Sequence, residues 1–435
     1  MYDEIIKQSE ALAGQLKEWR RDFHLHPELG WMEMRTSSLI ARYLKEMGYE
    51  DILLGSEVCL DESRMGLPSE EELEEHYAWA LENGGDPEFL PKTRHGFTGV
   101  IATLSCGEDP VTALRFDIDA LPIPESSAEE HFPCQNGFRS SCAGVMHACG
   151  HDGHIAVGLG TAKVLMACKN QLHGTVKLIF QPAEEGVRGA KSIVDYGHLN
   201  HVDYILAAHT GGDSSIKTPC IGAGENSSLA TTKINATFHG TATHAAMSPQ
   251  LGNYALLAAA TAILNLHAIP RHGEAPTRVN VGKITGGTAR NIVCDQVTLE
   301  LEVRGSSPKA NEYMYSRAKC ILEQAAAMHG CTCELKLMGA AKCGFNTPAL
   351  TDRVLSVCSD QLNLPTIRVK GKSVGSEDYS YMSDYVIAHG GQSCYFNNIT
   401  PCAGSFHNCL FDFDERALVN GVKAFSGTVF SLLSK

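Results

Sequence analysis

The sequence predicts an α/β protein of two domains: a larger domain with a twisted mixed sheet flanked by helices, and an inserted ferredoxin-like α+β domain. Short apolar runs alternate with helical or loop segments, which is typical of a central sheet in an α/β protein. These runs are 111–116, 175–180 and 203–208. Residues 229–338 instead follow the order strand, helix, strand, strand, helix, strand of the ferredoxin-like unit. We therefore assign 1–228 and 339–435 to the larger domain and 229–338 to the inserted one.

The composition is that of a soluble enzyme. The chain has 435 residues, of which 43% are hydrophobic and 20% charged, and this length allows two or three domains. We expect a cytoplasmic protein without membrane contact, because there is no secretory signal and no apolar run of about 20 residues. The net charge of −14 disfavours a nucleic-acid partner. The sixteen cysteines are expected to be free thiols.

The first hundred residues are predicted to be helical. An apolar stripe over 39–47 indicates one helix that ends at Gly48, a good C-cap residue. A second helix is predicted over 69–83, because Ser69 and Glu72 have the spacing of a capping box.

The inserted domain has clear helix signals of its own. Pro308 marks the start of its second helix and Gly330 lies just past the end. Its predicted strands are 232–238, 277–284, 296–303 and 332–338, and its predicted helices are 253–269 and 307–330.

Polar residues follow each apolar run of the larger domain. Asp117 and Asp119 follow the first run, Glu184 and Glu185 the second, and His209 the third. In open α/β sheets, ligands bind outside the carboxyl ends of the strands. The three strand ends therefore predict one common site.

The string "MHACGHDGH", residues 146–154, adds ligand-type side chains to this site. Cys149 and His151 can face one ion if the backbone bends, and Gly150 makes that bend easy. A thiolate and an imidazole are good ligands for zinc and related ions. Taken singly, most histidines are surface or core residues, and we favour that ordinary role for His24, His26, His147 and His154.

The adjacent pair Glu184 and Glu185 points to a metal. Burying two neighbouring carboxylates without a cation is costly. With a metal, one carboxylate ligates it and the other acts as general base on a bound water, whose pKa the metal lowers toward about 7. On solvated helices such a pair is common, and Asp117 and Asp119 could simply cap a turn. The prediction of a metal site therefore depends on the occurrence of all these residues together at strand ends.

In eight sequence strings and their order, the chain resembles the dinuclear metallo-amidohydrolases of the aminoacylase, hippurate hydrolase and indole-acetyl-amino-acid hydrolase group. The strings are "RRDFHLHPELGWMEMRT", "RFDIDALPI", "MHACGHDGH", "FQPAEEG", "GTATHAAMSP", "GGTARNIVCD", "GSEDYSYM" and "HNCLFDFDE", and they span nearly the whole chain. Within the group, "DESRMGLPSEEEL", "GFTGVIATL", "EEGVRGA" and "LEVRGSS" are most similar to the aminobenzoyl-glutamate hydrolase A subunits. The segment around 60–95 is an insertion relative to hippurate hydrolases and favours that branch.

The resemblance implies a catalytic larger domain that binds two divalent metal ions per subunit, zinc or manganese. Cys149 would bridge the two ions and Glu184 would be the general base. Asp119 would orient a ligand from behind. The remaining implied ligands are Glu185 and His407 for one ion, and His151 and His209 for the other.

The resemblance also implies roles in the inserted domain, which would be a lid and dimerisation domain. His244 would donate to the developing oxyanion across a dimer interface, and Asn291 belongs to the same polar set. Cys294 stands where relatives usually have proline, a departure that we expect to be harmless. A dicarboxylate leaving group needs cationic or amide donors, and the candidates are Arg304, Arg290, Arg188 and Asn280, each of which could instead form an ordinary surface ion pair.

The implied reaction is hydrolysis of p-aminobenzoyl-glutamate to p-aminobenzoate and glutamate by a homodimer, or by a heteromer with a sister subunit. The nearest alternative is a broader N-acyl-amino-acid amidohydrolase or dipeptidase. A non-catalytic metal-binding scaffold is disfavoured, because Glu184 and all five implied ligands are present. A redox sensor would instead require a disulfide at Cys149.

Overall fold

The chain divides into two compact units in a computed structural model, which describes residues 2–212, 216–225, 228–344, 346–370 and 375–434. Unit 1 comprises Met1–Ser227, Gly344–Lys372 and Asp378–Lys435, and unit 2 comprises Ser228–Cys343 and Ser373–Glu377. No helix among the described residues is long and apolar enough to cross a membrane.

Twelve α-helices are described, and the first seven precede unit 2. They are α1 (Tyr2–Ala11), α2 (Ala13–Leu25), α3 (Met34–Glu46), α4 (Glu70–Glu82), α5 (Phe132–Gln135), α6 (His151–Ala167), α7 (Ala190–Tyr196), α8 (Ala255–His267), α9 (Pro308–Met328), α10 (Pro348–Ser356), α11 (Tyr379–Ala388) and α12 (Arg416–Leu433).

Fourteen strands are described in the same parts of the chain. They are β1 (Asp51–Leu54), β2 (Val100–Ser105), β3 (Val111–Asp117), β4 (Thr175–Gln181), β5 (Tyr204–Thr210), β6 (Cys220–Gly224), β7 (Ala230–His239), β8 (Thr277–Gly286), β9 (Gln296–Gly305), β10 (Thr332–Ala341), β11 (Thr366–Val369), β12 (Gln392–Ile399), β13 (Cys402–Ala403) and β14 (Asp412–Phe413).

Unit 1 is built on an eight-stranded mixed sheet in the order β1-β2-β4-β3-β5-β12-β6-β11. The central strands β4, β3, β5 and β12 run parallel to their neighbours in this group. Their carboxyl ends therefore meet at one edge of the sheet, where a crevice for ligands is expected. Strand β3 is buried along its whole length, so its apolar run faces protein on both sides.

Helices cover both faces of this sheet. One face packs against α1, α2, α3, α6 and α12 in a large apolar core that includes Leu16, Leu159 and Phe425. The other face packs against α7 and α11 through a second core that includes Ile193 and Met382. Helix α6 is apolar on nearly every side and correspondingly buried along most of its length, so the residues at its start are held by a rigid element.

Unit 2 has a four-stranded antiparallel sheet in the order β10-β7-β9-β8, crossed by α8 and α9. Its element order β7-α8-β8-β9-α9-β10 is that of the ferredoxin-like unit. The predicted inserted segment ends at residue 338, whereas β10 runs to Ala341 and a short piece ending at Glu377 also belongs to this unit.

The predicted fold class is confirmed, and several local predictions hold. The capping box of Ser69 and Glu72 is formed at the start of α4. Helix α3 ends at Glu46, two residues before Gly48, which adopts a φ of 95° beyond the helix. The helical prediction for the first hundred residues was wrong at β1, a short edge strand with polar Asp51 that pairs antiparallel with β2.

Candidate metal centre

Six candidate side chains gather at the carboxyl edge of the sheet of unit 1. The Sγ atom of Cys149 lies 3.3 Å from Nε2 of His209, and Nε2 of His407 lies 3.5 Å from Oε1 of Glu185. Their donor atoms form three sets, each with all members within 4.8 Å of one another. The sets are Cys149, His151 and His209; Cys149, Glu185 and His407; and His151, Glu184 and Glu185.

The turn between Cys149 and His151 depends on Gly150. Gly150 adopts a φ of 88° and forms the N-cap of α6. A Cβ atom there would lie 2.8 Å from the carbonyl oxygen of Thr210. Only glycine combines this left-handed backbone with such a close approach to strand β5. The sequence predicted this bend, and it brings the thiol beside the imidazole.

His151 is oriented by Asp119. Its Nδ1 atom lies 2.8 Å from the backbone oxygen of Asp119 and 3.3 Å from Oδ1 of the same residue. Donation from Nδ1 leaves Nε2 as the atom that faces the cluster, and this buried Nε2 has no hydrogen-bond partner in the described structure. Burial lowers the pKa of His151, but Asp117 and Asp119 raise it well above its ordinary value.

The loop that carries Glu184 and Glu185 has an unusual backbone. Ala183 and Val187 have φ values of 51° and 61°, in the left-handed region that non-glycine residues rarely adopt. The backbone N–H of Val187 donates to the carbonyl oxygen of Glu184 at 2.6 Å, which closes a tight turn. Such strain persists only where surrounding contacts enforce it.

Three buried carboxylates enforce this loop conformation by accepting backbone N–H groups. Asp119 accepts from the N–H of Glu184 at 3.1 Å and of Glu185 at 2.8 Å. Glu33 accepts from the N–H of Ala183 at 2.7 Å. Asp378 accepts from the N–H of Gly189 at 3.0 Å and of Ala190 at 2.9 Å.

A buried charge network lies behind the histidines. Nη1 of Arg115 donates to Asp117 at 2.6 Å, and Asp117 also contacts Nδ1 of His154. Nε2 of His154 accepts the backbone N–H of Thr210 at 2.7 Å, so the ring carries its hydrogen on Nδ1. Both nitrogens of His154 are therefore engaged, which leaves neither for a metal ion. Burial raises the pKa of Asp117, but Arg115 and the histidines hold it well below its ordinary value.

A second buried network braces the segments that carry Cys149, His151 and His407. Arg20 donates to Asp152 at 2.8 Å and to Asp412 at 2.5 Å. His24 contacts Asp152 at 2.8 Å through Nδ1 and Glu125 at 3.0 Å through Nε2. Two carboxylate partners require both ring nitrogens to donate, so His24 is an imidazolium ion.

Of the four histidines with a predicted ordinary role, three contact polar groups and one is buried without a hydrogen-bond partner among the described residues. His24 belongs to the buried network and His154 to the Asp117 contact. His26 lies next to Asp22 on the flank of α2. His147 is buried, and neither of its ring nitrogens has a hydrogen-bond partner among the described residues.

His407 lies on the loop between β13 and β14. Its φ is 61°, and its backbone N–H donates to the carbonyl oxygen of Ala148 at 2.9 Å, next to Cys149. Hydrogen bonds with Cys149 and Glu185 raise the pKa of His407 to about 10. Its side chain is 53% exposed, so this side of the cluster is open to solvent.

The donor set fits divalent metal ions. Among the described atoms, Nε2 of His151 is a buried metal-binding atom without a hydrogen-bond partner. Burial raises the pKa of Cys149, and a cation would offset this by stabilising the thiolate. Thiolate, imidazole and carboxylate groups are the ligands that zinc and related ions use.

The candidate residues of unit 2 are mostly exposed. His244 accepts the backbone N–H groups of Ala246 and Met247 at Nδ1, both at 3.2 Å, so a neutral ring carries its hydrogen on Nε2. Asn291 is exposed, and its backbone carbonyl oxygen accepts the N–H of Ala245 at 3.0 Å.

Of the four predicted carboxylate-binding residues, two are exposed and two already form hydrogen bonds within the chain. Arg290 and Asn280 are exposed. Arg304 is already paired with Glu302 through two hydrogen bonds of 2.9 and 3.1 Å. Arg188 donates to two backbone carbonyl oxygens, those of Glu185 and Gly66, each at 2.9 Å.

The prediction from the sequence missed the residues that support the cluster. It assigned no role to Arg115, Glu33 or Asp378 and gave His154 no partner, because their partners lie far away in the chain. The available signal was a set of charged residues in strings that are otherwise apolar, such as "RFDIDALPI" and "GWMEMRT".

Comparisons with known proteins agree on one family. Residues 113–431 match the model of peptidase family M20/M25/M40. The chain is 43% identical to the p-aminobenzoyl-glutamate hydrolase A subunit of Escherichia coli, over 97% of this chain and 96% of the relative. It is 40% identical to indole-3-acetyl-aspartic acid hydrolase of Enterobacter agglomerans, over 99% of this chain and 98% of the relative.

Solved structures agree as well. An aminobenzoyl-glutamate utilization protein from Klebsiella pneumoniae superposes with a TM-score of 0.83 at 36% identity, covering 99% of this chain and 98% of that one. A dinuclear metal-binding M20 peptidase from Bacillus subtilis superposes with a TM-score of 0.65 at 26% identity, covering 97% and 99%. The predicted resemblance and the prediction of an enzyme are confirmed: the chain belongs to peptidase family M20/M25/M40 and is a metallo-amidohydrolase or peptidase.

Proposed function

We propose that the chain hydrolyses the amide bond of p-aminobenzoyl-glutamate to give p-aminobenzoate and glutamate. The observation that carries this proposal is its similarity, along nearly the whole chain, to the Escherichia coli hydrolase named for that substrate. The indole-3-acetyl-aspartic acid hydrolase supports the same substrate pattern. Both names describe an aromatic acyl group joined to an acidic amino acid, so the leaving amine is proposed to carry two carboxylates.

Two divalent ions, zinc or manganese, are assigned to the cluster. Cys149, His151 and His209 would hold one ion, while Cys149, Glu185 and His407 would hold the other. What supports this division is that two of the compact donor sets share the thiol of Cys149. Bound there, the ions would polarise the amide carbonyl and lower the pKa of a water molecule.

Glu184 is assigned as the general base. It lies beside His151, with Oε2 4.0 Å from Nε2, and it belongs to neither of the two sets that share Cys149. Its carboxylate would take a proton from the attacking water and pass it to the nitrogen of the leaving glutamate. Asp119 would position both the metal ligand His151 and the general base Glu184, since it contacts His151 and fixes the backbone of Glu184.

Unit 1 is the catalytic domain in this proposal, and unit 2 is a lid and dimerisation domain. His244 would donate from Nε2 to the oxyanion that develops on the amide oxygen, at the site of a partner subunit. Its local hydrogen bonds support this role because they direct the N–H to Nε2. Asn291, on the neighbouring segment, would add an amide donor.

The dicarboxylate of the leaving glutamate is assigned to exposed donors of unit 2. Arg290 and Asn280 are exposed and suited to this role. A role for Arg304 would require it to release Glu302, so it contributes less in this proposal. The bidentate geometry of arginine favours Arg290 as the main contact.

A homodimer, or a heteromer with a sister subunit, is proposed to form through unit 2. Strand β8 is at the edge of its sheet and is largely exposed. Helix α8 exposes Leu256, Leu257 and Leu264, by 46%, 49% and 75% respectively. An open edge strand and exposed apolar side chains are typical of association surfaces.

A broader N-acyl-amino-acid amidohydrolase is the second candidate. A turnover assay on p-aminobenzoyl-glutamate, indole-3-acetyl-aspartate, hippurate and N-acetyl amino acids separates the two. We expect kcat/KM for the two acidic substrates to exceed that for hippurate by about 10-fold or more, because hippurate lacks the second carboxylate. Chelator should abolish all activity, and added Mn²⁺ or Zn²⁺ should restore it. Equal rates on all substrates would rule out the specific proposal.

A further inference from the structure

The segment around residues 60–95 is bonded to the loop that carries Glu184 and Glu185. Arg188 donates from Nε to the carbonyl oxygen of Glu185 and from Nη1 to that of Gly66, both at 2.9 Å. One guanidinium therefore joins the segment to the loop. Its planar, fixed set of donors suits it to hold two carbonyl groups at a constant separation.

The space for this guanidinium depends on Gly30. A Cβ atom on Gly30 would lie 2.2 Å from Nη2 of Arg188 and 2.9 Å from the Cα of Ala183. Glycine thus leaves room for the guanidinium of Arg188 beside the turn that begins at Ala183. The turn itself contains the strained residues Ala183 and Val187, so it needs such external contacts to persist.

The same segment also contacts the chain on either side of Gly30. Nε1 of Trp31 donates to the carbonyl oxygen of Met65 at 2.7 Å, and His76 of α4 lies 2.8 Å from Oε1 of Glu28. The carbonyl oxygen of Glu28 in turn accepts the N–H of Ala120, next to Asp119. The segment, residues 28–33 and the carboxylate loop therefore form one hydrogen-bonded assembly.

We propose that Arg188 is a positioning residue through which the 60–95 segment holds Glu184 and Glu185 in place for the metal ions. In this proposal Arg188 acts through the backbone of the carboxylate loop and not on the leaving carboxylate, since its Nε and Nη1 atoms donate to backbone carbonyl oxygens. Loss of this contact lets the strained turn relax and moves Oε1 of Glu185 away from His407. This inference rests on the roles proposed for Glu184 and Glu185.

The test is a titration of the metal-free full-length protein with Mn²⁺. Electron paramagnetic resonance of the unbound ion measures the binding affinity. We expect Arg188→Met to weaken Mn²⁺ binding by about 10- to 100-fold, the usual cost of losing a residue that orients ligands. Arg188→Lys, which can reach only one carbonyl, should give an intermediate affinity. Gly30→Ala should also weaken binding, because its Cβ atom would meet both Nη2 of Arg188 and the Cα of Ala183.

Arg94→Met is the matched control. Arg94 belongs to the same segment, but its guanidinium stacks on Tyr77 at 4.3 Å. Wild-type Mn²⁺ affinity in Arg188→Met, or an equal loss in Arg94→Met, would overturn the inference. Circular dichroism and the Tm of each variant show whether it is folded, and Arg188→Lys provides the result if Arg188→Met is not.

If the roles proposed for Glu184 and Glu185 are wrong, the variants show a different pattern of Mn²⁺ affinities. If Glu185 is not a ligand, Glu185→Gln binds Mn²⁺ like the wild type, whatever Arg188 does. If Glu185→Gln loses Mn²⁺ and Arg188→Met does not, only the positioning role is refuted.

Discussion

The candidate residues of unit 1 and those of unit 2 differ in how firmly they are held. In unit 1, Asp119 fixes both His151 and the backbone of Glu184, and these groups are buried. In unit 2, Arg290 and Asn280 are exposed. Groups that stabilise developing charge work best when fixed in advance, whereas groups that recognise a flexible substrate can become ordered on binding. Changes in unit 1 should therefore alter kcat or metal content, and changes in recognition residues of unit 2 should mainly alter KM.

The largest effect is expected for Glu184→Gln. The amide cannot accept the proton of the attacking water, so kcat should fall by about 10²- to 10⁴-fold while KM changes little. Metal content, measured by atomic emission, should remain that of the wild type. Glu185→Gln is the control and should lose metal instead. Full activity in Glu184→Gln would place the catalytic base elsewhere.

His244→Ala tests whether any residue of unit 2 takes part in the chemical step. Loss of one oxyanion donor should lower kcat by about 10²- to 10³-fold. The Tm should not change because the side chain is exposed, and the metal content should not change because His244 belongs to none of the candidate donor sets. His239→Ala, another exposed histidine of unit 2, should behave as the wild type. A change in KM alone would make His244 a recognition residue and sharpen the contrast between the units.

The buried network of unit 1 predicts a pH dependence of stability. Burial lowers the pKa of His24, but hydrogen bonds to Asp152 and Glu125 outweigh it and raise the pKa from 6.5 to about 9. A raised pKa means that the folded state binds the proton more tightly, so this stabilisation is complete below pH 6.5 and is lost as the pH rises through about 9.

The contribution of protonated His24 to the free energy of unfolding is at most about 3 kcal/mol. Urea unfolding of the wild type should show this decrease at alkaline pH, and His24→Gln should lack it. A wild type whose unfolding midpoint is unchanged over the same pH interval would show that His24 is neutral in the folded protein, and would weaken the contrast between the two units.

The smallest effect is expected for Arg290→Ala. Removing one exposed contact to a substrate carboxylate should raise KM for p-aminobenzoyl-glutamate by about 10-fold, with kcat unchanged. Hippurate, which has an α-carboxylate but lacks the side-chain carboxylate of glutamate, should be unaffected if Arg290 binds the side-chain carboxylate. Arg317→Ala, an exposed arginine of α9, is the control. An equal effect on both substrates would mean that Arg290 does not contact the side-chain carboxylate of the leaving glutamate.

Much of the fold could be predicted from local pattern. The apolar run at β3 and the Pro308 start of α9 have direct physical signals in neighbouring residues. Strand β1 was missed because four residues, of which only Leu54 is buried, carry almost no periodic signal, and its partner β2 lies about fifty residues away. The mixed strand order was likewise fixed by pairings between distant segments, such as β12 with β5.

The residues of the candidate site likewise divide into those that local pattern predicts and those that depend on distant segments. Cys149 and His151 were predictable because the bend at Gly150 is local, and the pair Glu184 and Glu185 because adjacent buried carboxylates are costly. The placement of His407 came from resemblance alone, since no nearby pattern sets it apart. The support of Ala183 by Glu33, 150 residues apart, could not be read from either string by itself.

If the open edge of strand β8 is the association surface that we propose, it limits how this protein can assemble. Strand β9 occupies one side of β8, which leaves a single row of backbone donors and acceptors for another chain. One such row can pair with only one strand at a time. If a second copy and a sister chain both use it, they must exclude each other, and the ratio in which the two chains are synthesised would decide which complex forms.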